Sequence, residues 1–214
     1  MKFKLISLTL FLFFTLNLMG CAQPKIVIKD DITVGNAGNN ATIIVEDVRP
    51  QEDKEYSMGS LMVFSDVYGI WTLGDDMFTP NTVELLKKHI NHTTSRWKHQ
   101  PREIKVKLKR LKFEANHQAS MLAEGSAQLG PLGVAIAETM HGKKFELDYD
   151  KTKPFVLGHI NADITMIFAN GKKRKKSISA YKAENFSHHM NVQGRMDAAS
   201  KTIKELYSTF IKSL

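Results

Sequence analysis

The spacing of apolar residues divides the chain into alternating and helical stretches. From Glu103 to Phe113 the pattern has period two: Ile104, Val106 and Leu108 share one face, while Lys105, Lys107 and Lys109 share the other. Leu111 and Phe113 fall on the opposite parity, so the alternation slips near Arg110 and a β-bulge is expected there. Ile160, Ala162, Ile164, Met166 and Phe168 alternate in the same way. Asn170-Gly171 then supplies a hairpin turn, with Ser177–Ala183 as the returning strand. Thr42–Val48, rich in β-branched residues and closed by Arg49-Pro50, reads as another strand. Pro24–Lys29 reads as a short strand or an extended exit.

Two segments carry helical periodicity. Val83, Leu86 and Ile90 lie at i, i+3 and i+7, with Thr79 suited to the N-cap and Pro80 to the first helical position. Met196, Ala199, Ile203, Leu206 and Phe210 trace an apolar stripe along a terminal helix from about Val192 to Lys212. Residues 51–78 carry no clear period. Ala119–Ala137 reads as two strands split at Gly130-Pro131. Strands in succession with only two helices predict an α+β domain: an antiparallel sheet with both main helices, including the C-terminal amphipathic one, packed on one face.

The first residues follow neither period. Lys2 and Lys4 precede an apolar run from Leu5 to Met19, followed by Gly20-Cys21. A short basic stretch, an apolar core and a small residue at the cut site define a secretory signal peptide. The run is shorter than the roughly 20 apolar residues that a spanning helix needs. Leu18-Met19-Gly20-Cys21 resembles the bacterial lipobox. That resemblance implies a lipid on the Cys21 thiol, cleavage before it, and acylation of the new amine. Two or more acyl chains anchor a protein stably where one does not. Cys21 is the only cysteine among the 214 residues, so lipidation also accounts for the unpaired thiol. Ala22 and Gln23 lack the aspartate that marks inner-membrane retention in enterobacterial lipoproteins, which implies the outer membrane, facing the periplasm. The expected organisation is a cleaved signal at 1–20, a lipidated N-terminus and short tether at 21–40, and one periplasmic domain at 41–214.

Charge adds one candidate surface. The chain carries a formal +8, and loss of Lys2 and Lys4 with the signal leaves about +6. An exported protein meets anionic lipids, lipopolysaccharide phosphates and acidic wall polymers rather than nucleic acid. The densest cluster is Lys172, Lys173, Arg174, Lys175 and Lys176, beside the Asn170-Gly171 turn. It suits either an anionic surface or a charged strand end that discourages edge pairing. The lysine face of 103–113 would enlarge this patch if the two strands were neighbours.

Other constellations are poorer. His188-His189 diverge on any regular element, and His89 with His92 lacks a third ligand, so no metal site is expected. Asp47 and Asp75-Asp76 have no evident base or nucleophile beside them. Ser60 lacks the glycine spacing of a nucleophile elbow, and Gly125–Gly133 lacks a phosphate-loop lysine. No catalytic residue and no cofactor is assigned.

Val45-Glu46-Asp47-Val48-Arg49-Pro50, a helix near Pro80–Ile90, a terminal amphipathic helix and the lipobox together resemble the YajG-like periplasmic lipoproteins. That resemblance implies a compact α+β fold and supplies no catalytic site. The expected function is a lipid-anchored, non-enzymatic envelope accessory protein. Its partners would be the membrane, through the anchor, and an envelope protein complex or acidic glycolipid. The alternatives are a cell-wall-acting enzyme and a carrier of an apolar or acidic lipid ligand.

Overall fold

The computed structural model describes residues 25–29, 41–59, 69–118, 150, 153–188 and 190–214. The strands are β1 (Ile26–Val27), β2 (Thr42–Asp47), β3 (Ser57–Met58), β4 (Ile70–Leu73), β5 (Phe78–Thr79), β6 (Pro101–Asn116), β7 (Phe155–Phe168) and β8 (Lys173–Asn185). The helices are α1 (Thr82–Thr94) and α2 (Val192–Lys212). Short 3-10 turns occupy Gln51–Asp53 and Asp75–Met77.

The α+β expectation holds. The main sheet runs β3-β4-β6-β7-β8, with β2 also paired to β6. Every pairing in it is antiparallel except one: β2 runs parallel to β6, Thr42 opposite Glu103 through Asp47 opposite Leu108. Parallel neighbours need a long crossover, usually helical, and α1 lies in the connection between these two strands.

β6 organises the sheet. One of its edges pairs with β7 along nearly its whole length, with register shifts between Pro101 and Glu103 and between Leu108 and Arg110. The second shift is the expected bulge, and it returns Leu111, Phe113 and Ala115 to the buried face. The other edge is divided. β2 takes Glu103–Leu108, and β4 takes Phe113–Asn116.

Ile104, Val106, Leu108, Val156, Ile160, Ala162, Ile164 and Met166 carry the inner face of the sheet. Against it pack Leu85, Leu86 and Ile90 of α1 and Ala199, Ile203, Leu206, Tyr207 and Phe210 of α2. The stripe read from the C-terminal sequence is therefore the packing face, with Met196 half-buried at its edge.

Four expectations need correction. Thr79 is not the N-cap of α1; it belongs to β5, and Asn81 caps the helix by accepting from Val83 N at 2.9 Å. The helix then runs on past Ile90 to Thr94. The strand after the hairpin is longer than Ser177–Ala183, because Lys173–Lys176 also pair with β7. The packed domain also starts before residue 41: β1 pairs in parallel with β5, and Ile26 and Ile28 are buried. The glycine- and alanine-rich stretch from Ala119 to Ala137 lies outside the described residues, as do Cys21 and Ser60.

Candidate functional site

Two polar assemblies stand out, one inside the fold and one on its open face.

The first is built on Asp47-Val48-Arg49. Because β2 ends at Asp47 and β4 begins its pairing at Phe113, the edge of β6 between them has no strand partner. Val48 N donates to Leu108 O at 3.0 Å, and then a side chain takes over: Arg49 Nη1 donates to Leu111 O at 3.1 Å. The guanidinium, whose side chain is 1% exposed, also forks onto two carboxylates. Its Nε and Nη2 donate to Asp47 Oδ1 and Oδ2 at 2.9 and 2.8 Å. Its Nη1 and Nη2 donate to Asp75 Oδ1 and Oδ2 at 3.2 and 2.7 Å. Thr82 Oγ1 donates to Asp75 Oδ1 at 2.7 Å, and Tyr207 OH donates to Thr82 O at 2.7 Å.

These contacts join β2, the 75–77 turn, α1, α2 and β6 through one cation. Burial disfavours the charge on Arg49, yet the bonds to Asp47 and Asp75 outweigh it and raise the pKa above its ordinary value. Burial likewise opposes ionisation of Asp47, but the Arg49 side-chain and backbone bonds win and lower its pKa. Asp47 and Asp75, which had no visible partner in the sequence, therefore share an arginine. Both carboxylates are occupied as acceptors, an arrangement suited to holding elements together.

The second assembly is the outer sheet face, opposite the helices. The lysine strand and the basic hairpin strand are not neighbours: β7 lies between them. They nevertheless share a face. Lys105 on β6 stands opposite Thr165 on β7, and Thr165 stands opposite Lys175 on β8. The next row is Lys107, Asp163 and Ser177, in the same strand order. Ile44 and Glu46 of β2 border both rows, and the face forms a shallow trough of about 530 Å³.

Most strand lysines have a carboxylate on this face. Lys105 lies 3.1 Å from Glu103, Lys107 4.0 Å from Glu46, and Lys109 2.6 Å from Asp163. The Lys109 and Ser177 bonds hold the Asp163 pKa below its usual range. Lys172, Lys173, Arg174 and Lys175 are exposed and Lys176 is half-buried; among the described residues none of the five lies in an ion pair. The turn itself is tight, with Gly171 at φ +79 and Phe168 N donating to Lys172 O at 3.0 Å. Only Lys173 and Lys175 of the five point to the trough's face by register; Arg174 and Lys176 have the opposite parity.

Further along this face His159 stacks on Tyr181 with centroids 3.9 Å apart. Burial, reinforced by the Arg110 charge, lowers its pKa to about 4. Nearby, the Asp53 carboxylate is fully buried 3.3 Å from Arg110 Nε, and burial raises its pKa. Sequence reasoning passed over both, since neither belongs to a motif.

At the far end of the sheet, the half-buried Trp71 and the buried His117 and Phe186 form a ring cluster, with Arg195 Cζ 4.7 Å from the centre of the Trp71 ring. His89 packs edge-on against Tyr207, and His188 Nδ1 accepts from Met190 N at 3.1 Å. Among the described residues no three His, Cys, Asp or Glu side chains are grouped to hold a metal ion. No helix described is long and apolar enough to cross a membrane.

Fold and site together define an α+β domain with two helices on one sheet face and a charged, open opposite face. No family model matches the chain, and no curated protein matches it.

Proposed function

We propose that this protein is a lipid-anchored, non-enzymatic accessory module of the bacterial envelope, held by acylated Cys21 and binding a periplasmic or membrane partner through its open sheet face. The observation that carries the reading is a spacing. The lipobox cysteine lies five residues before Ile26, which is 2% exposed in the core. Five extended residues span at most about 17 Å, so an acyl anchor at Cys21 would hold the domain directly against its membrane. The resemblance of Leu18-Met19-Gly20-Cys21 to a lipobox and the signal-like segment before it support export; the resemblance to enterobacterial sorting rules supports the outer membrane.

The binding role is supported by the division of the domain's polar groups. The buried charged cluster around Arg49 is engaged in joining elements, whereas Lys173 and Lys175 on the open face lie outside the ion pairs that hold Lys105, Lys107 and Lys109. The broad trough suits contact with a surface or polymer better than enclosure of a small substrate.

Mass spectrometry of the membrane-extracted protein tests the anchor. The expected product begins at Cys21 and carries acyl chains. An intact segment 1–20 with an unmodified thiol would sink the proposal. Affinity capture from detergent-solubilised membranes, with Cys21→Ala as the control, is expected to recover a specific envelope component that the control loses.

A further inference from the structure

The outer-face trough contains a feature that the basic hairpin alone does not explain. Thr165 is flanked in one cross-strand row by Lys105 on β6 and Lys175 on β8. Neighbouring strands lie about 4.8 Å apart, so the two lysine backbones are separated by about 10 Å with a hydroxyl midway. Two ammonium groups on flexible four-carbon stems can converge above that hydroxyl. On the lining, Lys105, Lys107 and Lys175 stand against Glu46 and Asp163. Asp163 is already held by Lys109 at 2.6 Å and by the Ser177 hydroxyl at 2.7 Å. Lys109 and Ser177 thus occupy both Asp163 oxygens, although that ion pair is itself exposed, at 45% and 39%. Lys105 does have a partner, Glu103 at 3.1 Å, but the lysine side chain is 56% exposed there. Exposed pairs of this kind are weak, and a dianion can displace or share one.

We propose that Lys105, Thr165 and Lys175 form a subsite for one phosphoryl group. A doubly charged group with three acceptor oxygens can take both ammonium groups and the hydroxyl together, which a single carboxylate satisfies less completely. Lys107 and Lys173 lie in the rows on opposite sides of this one, Lys107 beside Asp163 and Lys173 beside Ile167, each about 7 Å along its strand, so either one alone would meet a second anionic group on the same ligand. The inference rests on the binding-module reading for its biological setting, but the subsite is a property of the folded domain. The phosphoryl group belongs either to a lipid headgroup or to a soluble phosphorylated molecule.

The test uses the full-length chain in neutral detergent, titrated with inorganic pyrophosphate at constant ionic strength and followed by amide NMR shifts. Saturable shifts are expected at Lys105, Thr165 and Lys175. Lys105→Gln and Lys175→Gln should each weaken binding roughly tenfold, and the double variant should abolish saturation while its circular dichroism stays unchanged. Lys172→Gln, at the hairpin tip, should bind as the wild type does. Shifts that never saturate, or that are equal at all surface lysines, would overturn the subsite. A second arm measures co-sedimentation of the Cys21→Ala chain with phosphatidylcholine vesicles with and without phosphatidylglycerol. Given saturable pyrophosphate binding, dependence of sedimentation on Lys105 and Lys175 assigns the group to a lipid, and independence assigns it to a soluble ligand. An acylated Cys21 without saturable binding would leave the anchor standing and remove the subsite; the converse would do the opposite.

Discussion

Arg49 shows how one side chain can stand in for a strand. The sheet edge it closes lies between the end of β2 and the start of β4, beside the bulge in β6. The guanidinium supplies the donor that Leu111 O would otherwise lack. Removing one member of a buried ion network leaves the rest uncompensated, at about 3–5 kcal/mol. Arg49→Met is therefore expected to lower the unfolding free energy by that amount in urea titrations. Arg49→Lys should fall well short of rescue, because an ammonium keeps the charge but cannot fork onto two carboxylates and a carbonyl. Unfolding midpoints equal to wild type in both variants would show that the network does not join these elements.

His159 gives a pH dependence with a definite sign. Its folded pKa is about 4, against 6.5 for the ordinary side chain. Between those values the unfolded chain binds a proton that the folded chain excludes. The stability associated with a neutral His159 is thus complete above pH 6.5 and is lost as the pH falls toward 4. Between pH 7 and pH 5 the wild type should lose about 1–2 kcal/mol more than His159→Gln, allowing for partial exposure. Equal losses in the two proteins would refute this burial effect.

Among the elements, the close seat of α2 on β7 depends on a missing side chain. A Cβ at Gly158 would lie 2.9 Å from both Phe113 Cε1 and Thr202 Cγ2, and 3.1 Å from Leu206 Cδ2. All three belong to the packed layer between helix and sheet, where overpacking costs about 1–3 kcal/mol. Gly158→Ala should accordingly lower the thermal midpoint. A midpoint at or above the wild-type value would mean that α2 can lift without loss. The same packing explains why the long alternating strands β6 and β7 were legible from their period alone: one face is sealed by helices and the other is open to water.

For the molecule as a whole, the controlling relation is the short sequence distance between Cys21, the proposed site of acylation, and β1. Ile26 and Ile28 bind β1 into the core, and only four residues of sequence lie between Cys21 and Ile26. If acylation provides the anchor, Cys21→Ala should move the protein from the membrane fraction to the soluble fraction without changing its unfolding curve. Retention in carbonate-washed membranes would point to another mode of attachment.

Local pattern was sufficient for the α+β class, the bulge near Arg110, the Asn170-Gly171 hairpin and the whole of α2, because each depends on a period or turn that neighbouring residues impose. The caps and lengths of α1 and β8 were less legible, since several residues near Thr79 and Lys173 satisfy the same local rules. What lay beyond the sequence were relations across strands. The parallel pairing of β2 with β6, the reach of Arg49 to Asp75, and the placing of Lys105 and Lys175 in one row bring together residues 61, 26 and 70 positions apart. Such pairings depend on strand order and register, which no short window of the chain encodes, and only the folded sheet brings them together.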